Sequence, residues 1–345
     1  MKILAVDTSC DETSVAVTEG TTVLSNVIWS QASAHAEFGG VFPSLAARMH
    51  LERIDWVVDR ALRQAQCGYK DIDGIAVTTG PGLAISLGVG IEKAKKLAKD
   101  LKVSLVGINH IEGHLLSPLA KSNSKFEIRN LKDIKWPALG LVVSGGHTEL
   151  ILMEKIGKYK ILAKTQDDAL GEALDKAARM LGLGYPGGVV LEKMAREGNP
   201  KAYPLPLPMA RQTERHEFSY SGLKSAFYRL TQTVDSNSKQ SVCDLAACFQ
   251  NRAFQHLERV VKNIINGEEY KSVSDLLVGG GVIANIDLRK RLRKMGRELN
   301  LRVHFPYSKK LVGDNAAMIG VAAGLKTNNC NEIVDRRARW SVEEI

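Results

Sequence analysis

The chain of 345 residues carries 47 Lys and Arg against 38 Asp and Glu, a net charge of +9, with 44% hydrophobic and 25% charged residues. Those proportions exclude disorder as the main state, and a length above roughly 250–300 residues exceeds what one core usually spans, so two domains are expected. The positive balance favours an anionic partner, although the same charge spread evenly would serve only solubility.

The N-terminal segment MKILAVDTSCDE turns acidic by Asp7 and lacks the apolar region and cleavage site of a signal peptide. No run approaches the ~18 apolar residues of a membrane span. The five cysteines are scattered and form no C-x-x-C, which speaks against a disulfide framework or a zinc ribbon. A cytoplasmic location without membrane contact is expected.

Lys2 to Asp7 reads as a strand, Thr8 to Glu12 as a polar turn, Thr13 to Thr18 and Thr22 to Ser30 as two further strands. Ile72 to Thr78 ends a strand that enters Thr79 to Leu83. INHIEGH (Ile108 to His114) follows. Lys121 to Lys135 is polar and poor in apolar residues, and reads as an inter-domain linker. The opening plan then recurs: Leu139 to Val143, a turn at Ser144 to His147, Thr148 to Met153, a turn at Gly157, and Tyr159 to Ala163. Prolines 200, 204, 206 and 208 make an irregular insertion of Asn199 to Arg215. Leu276 to Val278 ends a strand that enters Gly279 to Gly281. The repeated plan predicts two related α/β domains facing a cleft.

Several residues carry chemistry. His110 and His114 are four apart, so on a helix both imidazoles share a face, a spacing that suits Zn, Fe or Ni. A third ligand must come from elsewhere. Asp314 in VGDNAAM is a candidate, and an N-cap for the small-residue helix that follows is its other reading. Glu112 lies about 200° round the helix from His110, unlike the base of an H-E-x-x-H metalloprotease. Three glycine turns, Gly145–Gly146, Gly187–Gly188 and Gly279 to Gly281, read as strand ends that could approach an anion. None has the Rossmann or P-loop fingerprint. Asp7, Asp11 and Glu12 crowd the first turn, where acids serve a base, a metal–phosphate or ordinary turn chemistry. Basic residues cluster at Lys93, Lys95, Lys96, Lys99 and Lys102, at Arg289 to Arg297, and at Arg336, Arg337 and Arg339. Each is a solvated face taken singly, and together they raise a nucleic-acid footprint.

The motifs DTSCDETSVAV (Asp7 to Val17), FGGVFP (Phe38 to Pro43), GPGL (Gly80 to Leu83), NHIEGH (Asn109 to His114), SGGHTEL (Ser144 to Leu150), DDALGEALDKAARMLGLGYPGG (Asp167 to Gly188), FSYSGLKSA (Phe218 to Ala226), GGGVIAN (Gly279 to Asn285) and GDNAAMIG (Gly313 to Gly320) resemble, in order and nearly end to end, the TsaD family of tRNA adenosine threonylcarbamoyltransferases. The resemblance implies an α/β fold of the actin/hexokinase (ASKHA) type, duplicated, with an inter-domain cleft. The subdomains would span 1–121 and 136–345, with an insertion near 199–240 and a C-terminal helix returning to the first. It implies transfer of threonylcarbamoyl from threonylcarbamoyl-AMP to N6 of adenosine 37 in tRNAs reading ANN codons.

Carried over by position, His110, His114 and Asp314 match the ligands of one divalent metal, Fe(II) or Zn(II). Val142, Val143, Ser144, Gly145, Gly146, Asp175, Gly188 and Asn285 match contacts to the acyl-adenylate. Asp11 and Glu12 match the acidic loop near the reacting end, with Asp11 the candidate base. Lys93, Lys95, Lys96, Arg289 and Arg293 are the expected tRNA contacts. Departures are Ser44 where the family often has Glu, Glu192 where it often has Asp, and Ala338 within a terminal PRW. The implied partners are tRNA, a TsaB paralogue, the ATPase TsaE and an upstream TsaC-type adenylate synthase, with a homodimer as the other arrangement. An ATP-dependent small-molecule kinase of the same fold, and a metalloprotease, are the competing readings.

Overall fold

The computed structural model describes residues 1–123, 133–210, 216–234, 238–326 and 334–345. Among them are two sheets built on one plan. In the first, β1 (Lys2–Asp7), β2 (Glu12–Glu19) and β3 (Thr22–Ser30) form an antiparallel meander, with β4 (Gly74–Gly80) and β5 (Ser104–Asn109) added parallel to β1 in the order β5-β4-β1-β2-β3. In the second, β7 (Ala138–Val143), β8 (Thr148–Lys155) and β9 (Lys158–Lys164) repeat the meander, and β10 (Asp275–Gly279) and β11 (Arg302–His304) join parallel to β7 in the order β11-β10-β7-β8-β9. A short strand β6 (Lys121–Ser122) extends the first sheet beyond β3.

The continuous apolar runs of β1 and β7 are explained by burial on both faces. Leu4 and Val6 point to α2 (Pro43–Gln64) and α3 (Ala84–Leu101), meeting Ile54, Val57, Leu87 and Ile91. Ile3 and Ala5 point the other way, to α10 (Ala316–Leu325). In β7, Leu139, Leu141 and Val143 face α5 (Leu170–Met180), α8 (Lys239–Ile265) and α9 (Ile286–Glu298), while Ala138 and Val142 face α4 (His110–Leu116). So α4 and α10 form a layer between the sheets, and whatever they carry is held from both sides. Gly320 of α10 lies so close to Thr18 that a Cβ would come 2.6 Å from its Oγ1.

Two expectations need adjusting. The expected linker begins as strand β6, because Lys121 N–H donates to Thr21 O; its stretch 124–132 lies outside the described residues. The insertion near 199–240 is irregular only around its prolines. Beyond them Ser221–Thr231 forms α7, which buries Leu223 and Phe227 in the second core; 211–215 and 235–237 lie outside the described residues. Among the described residues the remaining α-helices are α1 (Ala32–His35) and α6 (Gly187–Glu197).

The second core also holds a neutral histidine. His256 is fully buried, edge-on to Phe218 and Tyr220, and accepts a hydrogen bond from Ser219 N–H. Burial and the Arg259 guanidinium push its pKa down to about 4. Between pH ~6.5 and 4 the unfolded chain therefore binds more protons than the folded one, and stability falls on acidification, by up to about 3 kcal/mol from this group. Chemical denaturation at pH 7 and 5 should show that slope, reduced in His256→Gln.

Candidate metal centre and inter-sheet cleft

Asn109 closes β5 in an extended conformation, and its Oδ1 accepts from Ile111 N–H at 2.9 Å and Glu112 N–H at 3.3 Å. That cap starts α4 at His110. Ile111, Leu115 and Leu116 bury in the layer between the sheets, which sets the helix rotation and turns His110 and His114 to the opposite face. Their ring centroids are 4.7 Å apart, nearly perpendicular.

Asp314 completes the group. Its alternative reading as an N-cap is overturned: Asn315 caps α10, its Oδ1 accepting from Met318 N–H. Asp314 is thereby left to the cleft, with Oδ1 3.1 Å from His114 Nε2 and 3.5 Å from His110 Nε2. One ligand atom from each of the three residues falls within 4.8 Å of the others. Both Nδ1 atoms are enclosed without a hydrogen-bond partner among the described residues, so the fold presents the Nε2 atoms. Two imidazoles and one carboxylate on one side of a cavity match the facial set of a divalent metal with open positions. Burial would raise the Asp314 carboxyl, yet the adjacent His110 and His114 hold it well below the usual carboxylate range. Burial lowers His114; at His110 burial also acts downward, but the charge and hydrogen bond of Asp314 together with the charge of Asp7 exceed it and raise the imidazole.

Glu112 lies on the far side of α4. It is fully buried, its Oε1 accepts from Tyr159 Oη at 2.9 Å, and its Oε2 pairs with Lys326 Nζ at 2.7 Å. A protease-type base would have to face the ligands; this carboxylate instead ties α4 to β9 and to the end of α10.

Gly279 meets the carbonyl of His114: a Cβ there would lie 2.1 Å from that oxygen. Gly280, at φ +98°, likewise abuts Val143 O. These glycines let β10 approach the ligand helix and β7, so packing rather than ligand contact explains them. Gly279→Ala should shift α4, costing about 1–3 kcal/mol of stability and at least about 10-fold in metal affinity, read by denaturation and by metal titration with a chromophoric competitor.

His110 and Asp314 line a cavity of about 1220 Å³ between the two sheets, with His114 fully buried behind them. Ser144, Gly145, Gly146, Asp175, Gly188 and Asn285 all line it. The turn is closed by Ser144 N–H to His147 O and His147 N–H to Ser144 Oγ, and a Cβ on Gly145 or Gly146 would meet nothing within 4 Å, so the loop leaves room for a bulky anion. Asp175 Oδ1 accepts from Gly188 N–H at 2.7 Å, which joins those two positions into one feature. Burial raises the Asp175 carboxyl.

Other expectations are corrected. Val142 and Val143 do not line the cavity; they are fully buried, and β7 pairs on both sides with β8 and β10. Gly187–Gly188 opens α6 after Pro186 rather than ending a strand. Asn285 caps α9 through Oδ1 and donates to Gln250 Oε1, so much of its polar capacity serves the fold. Glu192 reaches Arg196 and Ile286 N–H, bridging α6 to α9 at the cavity rim. Ser44 is exposed in the first turn of α2.

Asp11 and Glu12 line the wall facing Asp175. Burial and the charges of Asp11 and Asp314 push the Glu12 carboxyl well up. Burial and Asp11 raise the Cys10 thiol well up too, which disfavours its thiolate. Read as a glycine turn, SGGH hides its histidine: the His147 ring lies 6.4 Å from His110 and lines the cavity, and burial with the neighbouring imidazoles holds its pKa down to about 4. Its place at the start of β8, at the same sheet end as the ligands, is the signal that could have found it. Arg179 lines the cavity too, its Nη1 close to Gly39 on the facing wall.

The expected tRNA contacts fall on different surfaces. Lys95 and Lys96 are exposed on α3, while Lys93 is half-buried and paired with Asp55 at 2.5 Å. Arg293 is exposed. Arg289 is half-buried, its Nε donating to Ile283 O at 2.7 Å and its guanidinium over Phe305, so its first role is in the fold.

Comparison with known proteins converges on one family. Residues 22–321 match the family model described as TsaD: tRNA N6-adenosine threonylcarbamoyltransferase. Over its full length the chain is 42% identical to the tRNA N6-adenosine threonylcarbamoyltransferase of Syntrophotalea carbinolica, covering 98% of it. It is 45% identical to that of Clostridium kluyveri over 94% of this chain and 92% of the relative. Among solved structures, the nucleotide-bound activator of 2-hydroxyisocaproyl-CoA dehydratase from Clostridium difficile superimposes with a TM-score of 0.53 at 13% identity, covering 94% of this chain and 95% of its own. Full-length HypF gives 0.57 at 12% identity, covering 94% and 55%. These two likenesses concern the fold, the duplicated ASKHA architecture.

Proposed function

The chain belongs to the tRNA N6-adenosine threonylcarbamoyltransferase (TsaD) family, and from that membership we propose how its cleft performs the reaction. The enzyme forms threonylcarbamoyladenosine in tRNA. In our reading the donor is threonylcarbamoyl-AMP and the acceptor is N6 of adenosine 37 in tRNAs reading ANN codons. The observation that carries it is the three-ligand group His110, His114 and Asp314, which meets a nucleotide-sized cavity through His110 and Asp314.

A divalent metal held by His110 Nε2, His114 Nε2 and Asp314 would supply Lewis-acid polarisation of the carbamoyl group. The chain's own residues do the rest. The open turn at Gly145–Gly146 receives the phosphate, and Arg179, which lines the same cavity, supplies positive charge as AMP leaves. Asp175, with Gly188, and the free capacity of Asn285 orient the nucleoside. The N6 lone pair attacks the carbamoyl carbon, the C–O bond to the AMP phosphate breaks, and the N6 proton passes to a base. Asp11 is the candidate, because it lines the cavity while burial pushes the neighbouring Glu12 carboxyl well up.

We extend the reading to organisation. The subdomains divide at 1–121 and 136–345, a TsaB paralogue and TsaE complete the working complex with a TsaC-type synthase upstream, and Lys95, Lys96 and Arg293 contact the tRNA. Fe(II) is the preferred metal, with Zn(II) the second choice. Among the described residues no helix is long and apolar enough to cross a membrane.

The test is mass spectrometry of tRNA nucleosides after incubation with tRNA, threonine, bicarbonate, ATP, the synthase and the partner proteins. Threonylcarbamoyladenosine is expected; its absence with every component active would overturn the reading. Lys95→Glu with Lys96→Glu should weaken tRNA binding and reduce its salt slope, leaving adenylate binding intact.

A further inference from the structure

Beneath the acidic loop runs a chain of buried polar side chains that the proposed chemistry does not use. Phe42 N–H meets His35 Nδ1 at 3.3 Å, and His35 Nε2 meets Gln31 Oε1 at 3.1 Å. Gln31 Nε2 meets His50 Nδ1 at 3.2 Å, and His50 Nε2 meets Cys10 O at 3.0 Å. Thr13 Oγ1 adds a second donor to His50 Nδ1 at 2.8 Å. Thr13, Gln31, His35 and His50 are all fully buried.

The two ends fix the direction of every proton. A backbone amide can only donate and a carbonyl can only accept. His35 must therefore carry its proton on Nε2, Gln31 must turn its oxygen to His35, and His50 must carry its proton on Nε2, aimed at Cys10. Burial, the largest influence on the His50 imidazole, lowers its pKa and keeps it neutral, as this polarity requires. Every hydrogen bond in the chain runs one way, from Phe42 to Cys10.

Both ends sit next to separate stretches of the cavity lining. Cys10, Asp11 and Glu12 line one part, and Phe38 to Val41 another. Gln31 is tied to the loop a second time, its N–H donating to Asp11 O at 3.0 Å. Turn residues without such support would be free to shift, and misplacement of about 1 Å at a reacting group lowers rate by up to about 100-fold.

We propose that His50 is the positioning residue of the acidic loop, fixing Asp11 and Glu12 through Cys10 O and linking them, by way of Gln31 and His35, to the Phe38–Val41 wall. The role in rate rests on the reading of the cleft as the transfer site; the mechanical link does not. His50→Gln and His50→Asn separate the idea from a general packing role. Both are neutral amides in the same buried site, but only Gln reaches far enough to present an N–H where Nε2 stands.

The experiment compares both variants, together with Gln31→Met, in the complete transfer assay with partner proteins. Hydrogen exchange is followed in the peptides covering 8–13 and 36–42. His50→Asn is expected to lower kcat about 10- to 100-fold with the KM for tRNA changed by less than about threefold, and to speed exchange in both peptides. His50→Gln should stay within about threefold of wild type in kcat and leave exchange unchanged. Gln31→Met, which cuts the chain in the middle, should speed exchange at both ends even if a His50 variant folds poorly. Equal kcat and equal exchange in His50→Asn and His50→Gln would overturn the proposal, as would unchanged exchange in Gln31→Met. If wild type makes no product, the transfer reading fails, and exchange alone still decides the link.

Discussion

Asp314→Ala should leave the chain folded, nearly metal-free, and slower in transfer by on the order of 10³-fold, since several kcal/mol of Lewis-acid stabilisation are removed. The reasons lie in the local structure. Asp314 is not the cap of α10, because Asn315 takes that role, so truncation does not unwind the helix. Its contacts are His110 and His114, whose Nε2 atoms would be left facing each other without a carboxylate. Metal per chain, measured by plasma mass spectrometry after dialysis, should fall from about one to well below it. Asp314→Asn, which keeps an oxygen but loses the charge, should lie between. Full transfer by Asp314→Ala would remove the three-residue group from the chemistry.

Glu112→Ala should cost about 3–5 kcal/mol, the range for breaking a buried ion pair from one side. The carboxylate is fully buried between Tyr159 on β9 and Lys326 at the end of α10. Truncation strands the tyrosine hydroxyl and the ammonium and opens a void under the ligand helix. Glu112→Gln keeps an acceptor for Tyr159 and should cost less, about 1–2 kcal/mol. Urea denaturation measures both. Because Glu112 also fixes how α4 sits between the sheets, Glu112→Ala should weaken metal binding without removing any ligand. A loss of less than about 0.5 kcal/mol would show that this contact contributes little to holding the layer.

Much of the architecture could be read from the sequence. The two strand triplets were legible because both-face burial writes continuous apolar runs into β1 and β7, and the meander turns carry polar or glycine residues. The histidine pair was legible because helical spacing depends only on local geometry. What local pattern cannot carry is which neighbour a residue meets. Asp314 and Asn315 are both good caps, and only the structure shows that the second one serves. Val142 and Val143 directly precede the motif that begins at Ser144, yet the strand's pairing on both edges withdraws them from the cavity. Gly279 looks like a ligand-approach glycine and is instead a packing contact with His114 O, 165 positions earlier in the chain. The partners of Glu112, at 47 and 214 residues' remove, are contacts of the fold and have no local signature. His147 was concealed because a glycine pair draws the reading of its motif.

The charge of +9 gains a more definite address. The family supplies an anionic substrate, tRNA; Lys95, Lys96 and Arg293 are exposed, although Lys95 pairs with Glu92 and Arg293 lies over Phe305, whereas Lys93 and Arg289 are half-buried and engaged within the fold. The central claim is that the threonylcarbamoyl group is transferred to tRNA adenosine at the His110–His114–Asp314 face of the cleft. The most direct measurement uses isotope-labelled threonine in the complete reaction, with protein prepared at graded metal content and with Asp314→Ala. Labelled threonylcarbamoyladenosine, quantified in digested tRNA, should rise in proportion to bound metal and fall to background in Asp314→Ala. Undiminished labelled product from metal-free protein would contradict it.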